Sequence, residues 1–172
     1  MGGQGAPAPI IVTALFGPAD AAALTAMRRR HFPPERNVLD AHLTLFHHLP
    51  PAIAAELAQR LRAETRGVVP PRARIEGVMS LGRGVALRVE SPELAAIRAR
   101  LADAFAPLLM PQDRAGWRPH VTIQNKVDPA DARALHAAMS AGFGARPLAI
   151  AGLASWWYRG GPWEPIARHM FA

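Results

Sequence analysis

Two short segments carry the same pair of reactive side chains at the same spacing: His42-Leu43-Thr44 and His120-Val121-Thr122. Along a strand, residues two apart share a face about 6.5 to 7 Å apart. Each segment therefore presents an imidazole and a hydroxyl to one side, while Leu43, Leu45, Val121 and Ile123 anchor the other side in core. If a pseudo-two-fold axis relates the two segments, both pairs line one cleft. That inventory suits phosphodiester chemistry. One neutral histidine serves as general base on a water or ribose hydroxyl, and the other, protonated, donates to the leaving oxygen. The threonine hydroxyls donate to non-bridging phosphate oxygens.

A metal reading fails on geometry. His42 and His48 of the segment HLTLFHH stand about 20 Å apart along a strand, too far to share an ion, and His47 faces away from His42. The sequence has no HExxH and no cysteine, so thiolate catalysis, zinc fingers, iron-sulfur clusters and disulfides are excluded. No metal and no cofactor is expected.

The elements that must position these residues follow from periodicity and breakers. Residues 10–16 (IIVTALF) read as a strand, 19–32 as a helix, 42–49 as the first histidine strand, and the residues after Pro50-Pro51 as a helix. Residues 73–90 read as two strands joined by a turn at Gly82 to Gly84. Ser91-Pro92 opens a helix with Leu94, Ile97, Leu101, Phe105 and Leu108 on one stripe. A polar loop leads to the second histidine strand, 120–127. Asp128-Pro129 caps a further helix, and 147–158 and 165–171 are the last strands. The leading strands of the two halves lie 75 residues apart and the histidine strands 78, which marks an internal duplication. The expected organisation is a loose leader over residues 1–9 and one bilobal domain over 10–172, with repeats at about 10–82 and 83–172.

The chain has 172 residues, half of them hydrophobic, and a formal charge of +7. All but one of its 20 basic residues are arginine, Lys126 being the exception. An excess of this sign favours anionic partners such as phosphates or RNA. No apolar run reaches the roughly 18 residues of a membrane span, and no signal peptide is evident, so a cytoplasmic monomer with no membrane association is expected.

HLTLF at 42–46 and RPHVTIQ at 118–124 resemble the paired His-x-Thr motifs of the two-histidine phosphoesterase superfamily, in particular its bacterial 2'-5' RNA ligase and RNA 2',3'-cyclic phosphodiesterase branch. The resemblance runs from about residue 10 to 171. It implies an α+β fold of two pseudo-symmetric lobes, each an antiparallel-rich sheet with helices packed outside, and an active cleft between them. It also implies metal-independent opening of 2',3'-cyclic phosphates, on RNA 3' ends or small nucleotides, to 2'-phosphates, with 2'-5' ligation as a related activity. His42, Thr44, His120 and Thr122 are the catalytic set it carries over.

Strand parity adds candidates for substrate binding. Gln124 and Lys126 continue the face of His120, Phe46 and His48 continue that of His42, and Arg118 lies at the rim two residues before His120. Of the run Trp156-Trp157-Tyr158, at least one tryptophan is expected in the core, and Trp157 is a candidate surface for stacking a base. His31, His136 and His169 fall outside the pattern. The rival reading is a non-catalytic RNA-end or nucleotide binder using the same cleft.

Overall fold

The computed structural model describes residues 7–172. Its strands are β1 (Ile10–Phe16), β2 (Leu43–Leu49), β3 (Arg72–Ser80), β4 (Val85–Glu90), β5 (His120–Gln124), β6 (Arg146–Trp157) and β7 (Glu164–Met170). The helices are α1 (Pro18–His31), α2 (Ala54–Thr65), α3 (Pro92–Ala104), α4 (Pro111–Arg114) and α5 (Pro129–Ala141). All strand pairs are antiparallel, in the order β1-β2-β5-β4-β3-β6-β7. Because β1 also pairs with β6, six strands close into a barrel-like ring that β7 flanks.

The fold is the expected α+β arrangement of two related lobes, but the lobes do not coincide with the sequence halves. One three-stranded unit is β2-β1-β6 and the other is β5-β4-β3. Since β6 belongs to the second half of the chain and β3 to the first, each lobe takes its third strand from the other repeat. The two units meet along β3 and β6, through Arg72–Ile75 against Arg146–Ala149, and along β2 and β5 at the single pair Leu43↔Val121.

Helices pack outside the sheets. Leu57 and Leu61 of α2 and Leu94, Ile97 and Leu101 of α3 are buried in one continuous core with Leu43, Leu45, Val121 and Ile123 of the histidine strands. Each such side chain contributes about 1.5 to 3 kcal/mol. Ser91 caps α3 as its sequence suggests, its Oγ accepting the Leu94 N–H at 3.1 Å and donating to the Arg72 carbonyl at 2.8 Å.

Several boundaries depart from expectation. The α3 stripe ends before Leu108, because Pro107 lies in a 3-10 turn over Ala106–Leu108 and leaves Leu108 exposed. Asp128 precedes α5 but makes no side-chain cap. Of the expected leader, residues 1–6 lie outside the described residues. Ala8, however, is buried, and the Pro9 carbonyl accepts the Tyr158 N–H at 2.9 Å, so the packed chain starts before β1.

Candidate active site

The pair Leu43↔Val121 joins residues 78 apart, the same interval that separates His42 from His120. The local two-fold of the antiparallel β2–β5 contact is therefore also the axis that relates the two motifs. Continued by one residue in each direction, the register sets His42 across from Thr122 and Thr44 across from His120, all on the face opposite the core. Diagonal neighbours in such a register stand about 7 to 8 Å apart, which leaves room between the two imidazoles for one tetrahedral anion.

Both imidazoles are held in the same way. His42 Nδ1 bonds the Asp40 carbonyl at 2.8 Å and His120 Nδ1 bonds the Arg118 carbonyl at 2.7 Å. A carbonyl oxygen only accepts, so Nδ1 carries the proton in each ring and Nε2 is the nitrogen left for chemistry. Burial pushes the His42 pKa down to about 4, the Asp40 carbonyl partly opposes this, and the charges of Arg28, His120 and His47 add to the depression. Trp163 contributes to that burial, with its ring edge-on to the His42 imidazole at 4.6 Å between centroids.

A bulge follows each motif and breaks the parity that alternation predicts. In the first lobe Thr13 pairs with Thr44 but Val12 pairs with Phe46, skipping Leu45. In the second, Ala86 pairs with Thr122 and Val85 with Gln124, skipping Ile123. The extra residue returns the next side chain to the core side. Phe46 is consequently fully buried beneath the Arg98 guanidinium, 4.5 Å from its ring centroid, and does not face the cleft. Gln124 is buried as well, with its Oε1 unpartnered.

Other expected binding residues also fall elsewhere. Strand β5 ends at Gln124, and Lys126 sits exposed in the following turn with φ at +64°, so strand parity does not extend to it. His48 is exposed, and its backbone N–H donates to Asp113 at 3.0 Å. Trp157 packs against the core, under the Arg159 guanidinium at 5.7 Å. Arg118 is exposed and, with Pro119, lines a hollow next to the start of β5. His169, expected as an ordinary surface or helix histidine, lies on β7 with its Nε2 buried and unpartnered.

The structure adds residues that spacing did not single out. Arg88 of β4 pairs in register with His120, which places it on the His120 face. It is held by Glu90 and by the Glu76 carbonyl. Arg28 of α1, buried, donates to Asn37 Oδ1 at 2.8 Å and to the Thr122 carbonyl at 3.2 Å. Arg98 of α3 mirrors it, donating to the carbonyls of Leu45 at 3.2 Å and Asp113 at 2.6 Å. A helix from each half thus holds the motif strand of the opposite lobe. Trp117 adds a bond from its Nε1 to the Thr44 carbonyl at 3.0 Å.

Asp113 fixes the far end of β2. Its carboxylate, 1% exposed, accepts the backbone N–H groups of His47 and His48 and bonds the His47 ring. Burial pushes its pKa up, but those bonds outweigh it and hold the group below the usual carboxylate range.

Two hollows lie near the motifs, one lined by His42 and the other by the two residues before His120. The one beside His42 has a volume of about 560 Å³ and is lined by Thr13, Leu15, Asp40, Trp156, Trp163 and Arg168 among others. The other measures about 470 Å³ and is lined by Met79, Arg88, Val89, Glu90, Arg118 and Pro119. Among the described residues no three His, Asp or Glu side chains come together as a metal site, and no helix is long and apolar enough to cross a membrane.

A duplicated antiparallel fold that brings two His-x-Thr strands together across a local two-fold defines the two-histidine phosphoesterase class. Within it, the chain belongs to the 2'-5' RNA ligase superfamily, whose family model matches residues 16–162. Among solved structures it is similar to TT0787 of Thermus thermophilus, with a TM-score of 0.65 at 16% identity over 95% of this chain and 97% of that one. It is likewise similar to Escherichia coli LigT complexed with 3'-AMP, with a TM-score of 0.59 at 19% identity over 97% and 99% of the two chains. A structure described only as a phosphoesterase has a TM-score of 0.58 at 18% identity, covering 97% of this chain and 99% of the other. At these identities the likeness is one of fold. No curated protein matches the chain by sequence.

Proposed function

We propose that the chain is a metal-independent phosphoesterase that opens 2',3'-cyclic phosphates of RNA ends or small nucleotides to 2'-phosphates. The observation that carries this reading is the matched tautomer of His42 and His120, each Nδ1 on the carbonyl two residues upstream. It prepares two Nε2 atoms on one face, beside two threonines and next to Arg88. Solved structures of the similar LigT are complexes with 3'-AMP, phosphate, ATP and NADP+, which agrees with a nucleotide phosphate as ligand.

His42, neutral because its pKa is depressed, takes a proton from water on Nε2 as the water oxygen bonds to phosphorus. The P–O3' bond breaks on the opposite side, and O3' takes a proton from His120 Nε2. Thr44 and Thr122 donate to the non-bridging oxygens, and Arg88 and Arg118 offset the charge that gathers there. The test is incubation with a 2',3'-cyclic mononucleotide in the presence of EDTA. A 2'-phosphate product, lost on His42→Ala or His120→Ala, supports the reading. Salt-sensitive binding without any product would leave a nucleotide binder instead.

A further inference from the structure

Three of the chain's seven histidines lie in or next to β2, and the reaction above uses only one of them. Simple alternation turns His47 away from His42. The bulge reverses this, because Leu45 and Phe46 are both fully buried and the next side chain, His47, is exposed. His47 therefore stands on the face of Thr44, one same-face position further along β2 and about 6.5 to 7 Å on. Burial is the main cause of the low His42 pKa, and His47 is among the charges that add to it, which agrees with a ring on the cleft side.

Past the pair Leu43↔Val121 the strands β2 and β5 no longer pair, and Asp113 takes the edge of β2 that β5 leaves open. Its carboxylate only accepts, so the 3.1 Å bond to His47 Nδ1 carries the ring's proton. His47 is thereby fixed in the tautomer of His42 and His120, with Nε2 free. The group that fixes it is a buried carboxylate where the other two rings have a carbonyl.

The order of rows along β2 decides what that nitrogen meets. His42 stands in the first row with Thr122, and His120 in the second with Thr44. His47 and the exposed Arg118, each one same-face step further out, make the third. In the proposed reaction water enters on the His42 side and O3' leaves on the His120 side, so the ribose extends from the second row toward the third. The group one ribose away from the cyclic phosphate is the phosphate on the 5' carbon. Between that anion and the Asp113 carboxylate, the His47 ring holds a proton on each nitrogen and donates to both. We propose that His47, aimed by Asp113, binds the 5'-phosphate group of the nucleotide whose cyclic phosphate lies between His42 and His120. The protein then selects substrates phosphorylated at both ends of that nucleotide. The 5' group is a monoester on a free nucleotide and a diester in an RNA end. This assignment rests on the phosphoesterase reading.

The experiment uses the full chain and three substrates: adenosine 2',3'-cyclic phosphate, the same compound with a 5'-phosphate, and a dinucleotide ending in a 2',3'-cyclic phosphate. In the intact protein the 5'-phosphate should lower KM about tenfold or more, the worth of one hydrogen bond to a charged group, with kcat little changed. A dinucleotide KM equally low marks RNA ends as the source of the phosphate, and a low KM for the monoester alone marks free nucleotides. His47→Leu should erase most of the preference and leave KM and kcat for the unphosphorylated compound as they were. His47→Gln, whose amide still donates, should recover part of it. A KM that neither form of 5'-phosphate lowers, or a preference that His47→Leu keeps, would overturn the assignment. So would a folded His47→Leu protein whose kcat collapses on the unphosphorylated compound, which would put His47 in the chemistry. If none of the three substrates turns over, the phosphoesterase reading fails and takes the assignment with it.

Discussion

The two lobes share a backbone plan down to the bulge after each motif, yet their surroundings have diverged. The His42 lobe is closed over its imidazole by Trp163 and presents Leu15 and Asp40. The His120 lobe presents Arg88 and Arg118 in the equivalent places. The repeated motif supplies two histidines held in the same way, and the side chains around them then differ. A depressed pKa keeps His42 neutral, which suits the base of the proposed reaction, while Arg88 and Arg118 stand on the other side.

The largest expected effect tests whether both copies are needed. His42→Ala and His120→Ala should each lower the rate of cyclic-phosphate opening by about 10² to 10⁴, read by product formation. If one variant retains near-normal turnover, the lobes do not act as a pair.

A second prediction concerns support rather than chemistry. Asp113→Ala leaves the N–H groups of His47 and His48 without their acceptor, at a cost of about 3 kcal/mol in denaturant unfolding.

The pH dependence should separate the lobes more finely. With His42 as the proposed neutral base, the acid limb of kcat/KM for its step should fall near pH 4 rather than 6.5. Trp163→Ala uncovers the ring and should move that limb upward by about 1 to 2 units. The same group links pH to stability. Its pKa is lower folded than unfolded, so its contribution is complete above about pH 6.5 and is lost as pH falls from there to about 4. In Trp163→Ala that loss should shrink, as chemical denaturation at several pH values would measure.

The smallest effect is Ser91→Ala, about 1 kcal/mol from the lost α3 cap, with the cyclic-phosphate pH profile unchanged.

The paired His-x-Thr spacing, the element order and the duplication are legible in the sequence because they are patterns of residue type at fixed intervals. The misplaced residues share one cause, which is that alternation assumes an unbroken strand. Parity assigns Phe46 and Gln124 to the cleft, and one inserted residue in each strand reverses them. For Lys126 the same alternation runs past the point where β5 ends. Arg88 and Trp163 gain their importance from strand pairing and from the β6–β7 return, neither of which a local window contains. Asp113, a single carboxylate in a polar loop, gives no local sign that it will be buried against β2.

The crossing of β3 and β6 between lobes has a consequence for how the molecule can be taken apart. A chain cut at the Gly82–Gly84 turn would give two fragments, each with two strands of its own lobe and one, β3 or β6, that belongs to its counterpart, β7 remaining on β6. Neither could complete a sheet alone, and structure should return only on mixing. The spacing of the two imidazoles is therefore set by an interlock of the halves, not by a flexible joint between them.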